Sequence, residues 1–501
     1  MLGNAASSII IAGIVLGIII VIHELGHFLV AKFFKIKVET FSVGFGPRLI
    51  GFRKGDTDYR ISAFPLGGYV KMAGETPMDE VKGLDYEFLC KPKWQRFLVA
   101  SAGPAMNVIL AVALIAGLYI HGTDIPEFML GQAVVNIVDQ GSPAEQAGIQ
   151  PGDVITALDG KKSPNWEEVQ NTVIINPGRP LPITVERNGT RLNLTVTPER
   201  RGREEAGDAG MYPVIRTVVG NVLPNSPAQR AGLKPGDEII RVNGQDLRTS
   251  GRTLQQTIQK MPEQTFPITV LRGGEAPPSL GSSGSASAEQ PKQGFFSSLW
   301  NGTKRLFGGN SVGANVAAPL STDSHPVESG PKEVELQVTP EMKDGRRMIG
   351  IDLQLAGPTV HIKLSPLPAL EKSLQTNKEN AALIFQIVGR LLRREASLKQ
   401  LDGPVGIVAV SGQAYQAGFA TLLTFMALIS LNLGILNILP IPILDGGVIL
   451  LLVIESLMGR DLSLRMKERI VQASVVFILM VMVIVLYNDV VKLLPPSQPT
   501  P

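Results

Sequence analysis

A chain of 501 residues, 44% hydrophobic and 18% charged, is long enough for several domains and too polar to be a transporter built only of membrane spans. A formal net charge of +3 is too small to argue for a nucleic-acid partner. The single cysteine, Cys90, excludes an intramolecular disulfide and a cysteine-based zinc site.

The first element is the run Ile9 to Ala31, 23 residues in which only His23, Glu24 and His27 are strongly polar or ionisable. It is long enough to cross a bilayer, and an ionisable group inside such a run costs about 2.5 kcal/mol or more. It lacks a charged n-region and is followed by Lys32, Lys35 and Lys37, so it is expected to be a span and not a cleaved signal peptide. The five residues His23-Glu-Leu-Gly-His27 put two imidazoles on one helical face with Glu24 beside them. That spacing occurs by chance in many soluble chains. Its position inside a span favours a metal site over three polar groups satisfied by interhelical hydrogen bonds.

Phe97–Ile120, about Gly418 to Leu444, and Ile470–Tyr487 are the other expected spans. Basic residues cluster after the first (Lys32, Lys35, Lys37), before the second (Lys91, Lys93, Arg96) and between the third and fourth (Arg460, Arg465, Lys467, Arg469). The positive-inside rule then places both termini and residues 121–417 outside, with His23, His27 and Asp445 near the inner ends of their spans. Between spans one and two, residues 38–72 alternate apolar and polar with glycine breaks, including Gly67-Gly68-Tyr69, and predict short strands and hairpins on the cytosolic side. A strand edge there could hold a substrate in extended form; a small structural sheet fits the pattern equally.

The outer stretch holds an internal repeat. Residues 141–160 match 225–244 at 10 of 20 positions, and Pro182-Ile-Thr-Val is echoed by Pro267-Ile-Thr-Val. The S-P-A-x-x-A-G-[IL]-x-P-G-D-x-I pattern resembles PDZ domains of bacterial envelope proteases. Two such domains are expected, at about 122–208 and 210–355. The second carries an excess of 57 residues, a Gly-, Ser-, Pro- and Ala-rich insertion at about 273–332 expected to be disordered. Within it Phe295, Phe296, Leu299, Trp300, Leu306 and Phe307 fit either an inert linker or a short helix touching membrane or domain surface. From Glu379 to Lys399 an apolar stripe (Ile384, Ile387, Val388, Leu391, Leu392) predicts an amphipathic helix, lying on the membrane or packed on a PDZ domain.

The third span carries Asn432, Asn437 and Asp445, with Pro440 and Pro442 breaking the helix between them. Broken helix at membrane depth is tolerated only where it lines an enclosed cavity. Zinc held by two histidines needs a third ligand and an open position. Asp445 is the candidate; its other reading is helix termination before Gly446.

His23 to His27, Phe64-Pro-Leu-Gly-Gly-Tyr-Val-Lys-Met72, Gly103-Pro-Ala-Met-Asn107 and Asn437 to Gly447 together resemble the site-2 proteases over nearly the whole chain. With two outer PDZ domains, the chain resembles those that regulate the sigma-E envelope stress response; the insertion is a departure from that pattern. The resemblance implies an intramembrane zinc endopeptidase of the bacterial inner membrane, with His23, His27 and Asp445 as ligands and Glu24 as catalytic base. It further implies that Asn432, Asn437, Pro440, Pro442, Gly67, Gly68 and Tyr69 help hold and unwind a substrate. Implied substrates are single-span proteins, an anti-sigma factor already trimmed outside and remnant signal peptides, with the PDZ pair excluding bulky outer domains.

The expected fold is thus a multi-domain membrane protein with an α-helical core of four spans, a cytosolic membrane-associated β-hairpin region and two periplasmic mixed α/β PDZ domains. Its segments are 1–121, 122–208, 210–355, a periplasmic helical region at 356–417, and 418–501. Membrane lipid is the expected surrounding, and nucleic acid is not. A competing reading is a catalytically idle scaffold whose PDZ domains capture exposed C-termini. A metal transporter would have too few spans.

Overall fold

A computed structural model describes residues 2–75, 83–201, 205–213, 216–247, 254, 257–258, 261, 264–272, 332–343, 346–356, 359–393 and 403–493. Residues 273–331 of the expected insertion, with its aromatic cluster, lie outside the described residues, as do 394–399 of the amphipathic stretch. Among the described residues, the helices longer than a single turn are α1 (Leu2–Phe33), α2 (Lys93–His121), α3 (Trp166–Ile175), α4 (Pro366–Leu392), α5 (Pro404–Gln416), α6 (Phe419–Ile438), α7 (Asp445–Leu457) and α8 (Leu464–Leu493). The chain divides into two compact units, one of residues 1–122, 363–415 and 422–501, the other of 123–362 with 416–421.

Among the described residues, four helical segments are long and apolar enough to cross a membrane: Ala6–Phe33, Lys93–His121, Phe419–Ile438 and Arg465–Asp489, all within the first unit except residues 419–421. These match the four expected spans with one correction. The third does not run to Leu444; α6 stops at Ile438 and a separate helix, α7, starts at Asp445. Proline supplies no N–H and disfavours a helical residue before it, so Pro440 and Pro442 cannot continue α6. The chain instead turns tightly, with Leu444 N donating to the Ile441 carbonyl at 2.8 Å and Gly447 N to that of Leu444 at 2.9 Å. Asp445 therefore opens a helix, and its negative charge suits that N-terminus.

The expected short hairpins are two long strands, β1 (Val38–Lys54) and β2 (Thr57–Met72). Each bends, so residues 40–43 are flanked by 68–71 on one side and by 58–61 on the other. Left-handed glycines at Gly44 and Gly46 allow the bend in β1. The sheet is seated by a cluster of Ala31, Ile36, Val38, Val70, Met72, Phe88 and Val99, which ties it to the ends of α1 and α2. Its remote end keeps Leu49, Ile50, Phe52, Ile61 and Phe64 exposed.

The amphipathic helix α4 begins at Pro366, well ahead of Glu379, and its packing partner is α2: Ser373 Oγ donates to the Val112 carbonyl at 2.7 Å. Beside the α2–α7 contact, Lys93 on α2 reaches the Glu455 carbonyl at 3.0 Å, and the wholly buried Glu455 carboxylate binds Lys467 of α8 at 2.7 Å.

The second unit contains both copies of the repeat. In the first, strands 154–158, 181–187 and 190–196 and helix α3 enclose a core of Ile155, Leu158, Trp166, Leu181, Ile183, Val185 and Val196. In the second, strands 238–242, 266–272 and 332–338 enclose Ile239, Val242, Phe266, Ile268, Val270 and Val338. Arg272 pairs with Lys332, so the insertion leaves and re-enters across one antiparallel pair. The shared P-G-D sequence acquires a reason here. Asp153 and Asp237 are buried at 0% and 1% exposure, and each grips an arginine at the end of a neighbouring strand. Arg187 binds Asp153 with two nitrogens at 2.6 and 2.7 Å and the Gly148 carbonyl at 2.7 Å. Arg272 binds Asp237 at 2.8 and 2.7 Å and the Gly232 carbonyl at 2.8 Å. The bidentate geometry holds each arginine well above its ordinary pKa, through the carboxylate's hydrogen bonds.

Removing one partner of such a pair strands the other. Arg187→Ala should destabilise the first copy by about 3 kcal/mol, near the lower end for broken buried pairs because the arginine is partly solvated. Limited proteolysis of the full chain should then cut first within residues 123–201; unchanged protection would refute the clamp's role.

The first and last strands of this unit, Thr123–Pro126 and Thr359–Ile362, pair with each other, with His361 Nδ1 and Asp124 Oδ1 at 2.8 Å. The unit is therefore closed by its own ends.

Candidate metal centre

Along α1 the ionisable residues fall where the sequence places them, one turn apart on a single face. His23 Nε2 and His27 Nε2 stand 3.2 Å from each other. Asp445, at the start of α7, brings Oδ2 to 3.0 Å from His23 Nε2 and Oδ1 to 3.4 Å from His27 Nε2. The three ligand atoms lie within 4.8 Å of one another. The side chains are mostly enclosed, at 9%, 11% and 22% exposure.

Two nitrogen donors and one carboxylate oxygen converging this closely are the donor types and number that catalytic zinc takes from a protein. The remaining ring nitrogens are occupied from behind: His27 Nδ1 lies 2.8 Å from the Val99 carbonyl and His23 Nδ1 3.2 Å from Asn107 Nδ2, both on α2. Anchoring the far nitrogen is how metal-binding imidazoles are oriented. The residues present fit zinc.

Close helix approach makes this possible. A Cβ on Gly26 would meet the Ala102 carbonyl oxygen at 2.3 Å, and one on Gly103 would meet His27 Nε2 at 2.3 Å and His23 Nε2 at 2.6 Å. Gly446 and Gly447 serve α7 similarly: a Cβ on the first would lie 2.2 Å from the Ile438 and Leu439 carbonyl oxygens, and on the second 2.2 Å from Pro442 Cα. Without these glycines the turn carrying Pro440 and Pro442 could not fold back over Asp445.

Glu24 accepts a hydrogen bond from the backbone N–H of Val70 at 3.0 Å, so β2 runs directly beside its carboxylate. Gly67 and Gly68 lie on the same stretch, against Ile20 and Val21 of α1. Tyr69 is in that stretch too, but its ring stacks on Phe45 at 5.9 Å and its hydroxyl accepts from Arg60. Asn437 is brought to the centre, with Nδ2 3.5 Å from His23 Nε2. Asn432 is buried on α6, its Nδ2 without a hydrogen-bond partner among the described residues, and no contact joins it to the ligands. Sequence reasoning assigned no role to Gly103, Asn107, the Val99 carbonyl or the Val70 N–H. The first two sit in the Gly103-Pro-Ala-Met-Asn107 motif, which was the available signal; backbone groups leave none.

A histidine pair on a helix apolar enough to cross a membrane, a glutamate between them and a carboxylate from a distant helix are the groups a zinc metalloprotease requires. The chain belongs to peptidase family M50, whose sequence model matches residues 11–481. It is 30% identical to the "Regulator of sigma-E protease RseP" of Escherichia coli, covering 96% of this chain and 97% of that one. The "Regulator of sigma E protease" of Haemophilus influenzae is 29% identical over 96% and 98% of the two chains. A "Putative zinc metalloprotease" of Treponema pallidum is 28% identical, again over 96% and 98%.

Proposed function

We propose that this chain is an intramembrane endopeptidase that hydrolyses bonds within single-span transmembrane segments, among them an anti-sigma factor already cut outside and remnant signal peptides. The observation that carries this reading is the convergence of His23, His27 and Asp445 from helices apolar enough to span a bilayer. The names of the relatives, which speak of sigma-E regulation and zinc proteolysis, support a zinc protease tied to sigma-E regulation.

When bound, zinc supplies Lewis acidity, lowering the pKa of water to about 7 and polarising a carbonyl. Glu24 takes the proton of the attacking water and delivers it to the leaving amine as the C–N bond breaks. Asn437, beside His23, is placed to donate its amide N–H to the carbonyl oxygen under attack. A substrate helix hides its carbonyls in hydrogen bonds, so it must be opened first. The edge of β2 at Gly67, Gly68 and Tyr69 offers backbone groups to an extended segment, and the turn at Pro440 and Pro442 breaks the helical path just ahead of Asp445. Asn432 is assigned to the same holding task. The exposed apolar tip of β1 and β2 suits contact with lipid.

The membrane is read as the bacterial inner membrane, with basic clusters facing the cytosol, both termini and residues 123–362 in the periplasm and the metal centre near the cytosolic leaflet. The two repeat copies act as PDZ-type domains that exclude substrates with a large outer domain. In detergent or liposomes, the purified protein should contain about one zinc per chain and cut a single-span substrate; chelation should stop cleavage and added zinc restore it. Cleavage that survives complete metal removal would sink the reading.

A further inference from the structure

Asn107 is wholly buried on α2 and is none of the three ligands. Its amide nitrogen is placed 3.2 Å from His23 Nδ1, while its Oδ1 has no hydrogen-bond partner among the described residues. An imidazole that offers Nε2 to a metal is neutral and carries its proton on Nδ1, so Nδ1 there is a donor. A donor facing a donor and a buried orphan acceptor on the same carboxamide have one common solution. Oxygen and nitrogen of a carboxamide are assigned from the hydrogen-bond network, and half a turn of the amide puts Oδ1 opposite His23 Nδ1–H.

We propose that Asn107 is the positioning residue of the metal centre: its Oδ1 accepts from His23 Nδ1–H and holds the ring in the tautomer that presents Nε2 to zinc. The inference rests on the zinc reading of the centre. It gives the two imidazoles parallel support from α2, one through the Val99 carbonyl at 2.8 Å and one through the Asn107 side chain. Asn107 is held in turn from α6. Ser430 Oγ donates to its backbone carbonyl at 2.8 Å, and a Cβ on Gly434 would stand 3.3 Å from Asn107 Cβ. The packing of α6 on α2 is thereby coupled to the orientation of a ligand on α1. A buried asparagine that merely joined two helices would affect stability and leave metal affinity alone.

Losing such a partner typically weakens metal binding about 10–100-fold. The full-length protein in detergent is stripped of metal and titrated with zinc against a chromophoric chelator, as wild type, Asn107→Leu and Asn107→Asp. Thermal midpoints of the metal-free forms report packing separately. Wild type should bind one zinc and Asn107→Leu should bind it about 10–100-fold more weakly. Asn107→Asp should recover wild-type affinity to within a few-fold, since its carboxylate accepts the same Nδ1–H. Cobalt in place of zinc should give a ligand-field spectrum altered in the leucine variant and restored in the aspartate variant. If Asn107→Leu binds zinc as tightly as wild type, or Asn107→Asp as weakly as Asn107→Leu, the inference is overturned while the metal centre stands. A wild type that binds no zinc overturns both.

Discussion

Glu24→Gln should leave zinc bound and reduce cleavage of a single-span substrate by about 100- to 10,000-fold, the range a general acid–base contributes. The change keeps the size of the side chain and a hydrogen-bond acceptor for the Val70 N–H, which the glutamate accepts at 3.0 Å. It removes the ability to take a proton and return it. Metal content by mass spectrometry and cleavage by gel, measured on the same preparation, separate the two effects. Retained zinc with wild-type turnover would show that the proton is handled elsewhere. Loss of both would mean that Glu24 acts structurally.

Gly103→Ala should strip the centre of metal although no ligand is altered. The added methyl carbon would stand 2.3 Å from His27 Nε2 and 2.6 Å from His23 Nε2. Real carbons do not approach so closely, and the rings cannot give way freely because Val99 and Asn107 hold their far nitrogens. Either the imidazoles rotate off the metal or α2 moves away from α1. A loss of zinc affinity of about 100-fold is expected, at the upper end of what displaced supporting groups cost. Gly117→Ala is the control on the same helix, since a Cβ there meets nothing within 4 Å. Equal zinc affinity in the two variants would refute the close crossing of α1 and α2.

These expectations mark where sequence reading succeeds and where it stops. The residues that converge on the candidate centre were legible because an ionisable group in an apolar run is costly enough to demand a purpose, and His23, Glu24, His27 and Asp445 each stand in such a run. The repeat was legible because identical turns need identical residues, as with Ser142 and Ser226, whose side chains accept from the N–H groups of Glu145 and Gln229. The matching pair Gly210 and Gly350 was not, since what requires them, a left-handed backbone and a 2.3 Å approach to those serines' Cβ atoms, exists only in the folded chain. Strand length in residues 38–72 was misjudged because glycines that mark turns in a sequence can also mark bends within a continuous strand. The third helix was drawn too long because hydropathy averages across Pro440 and Pro442, whose effect lies in backbone geometry.

The elements of the candidate chemistry can be read from short stretches: two imidazoles at helical spacing, a glutamate between them, a remote aspartate beside a broken helix, and apolar runs long enough to cross a membrane. Those follow from local periodicity and from the cost of polar groups in lipid, and both are properties of short stretches. Only the tertiary structure decided that Asp445 begins a new helix, that α2 supplies both supports behind the imidazoles, and that the backbone of β2 touches Glu24. Each of these is a distance between segments far apart along the chain, set by packing of small residues and by main-chain groups that every residue carries alike.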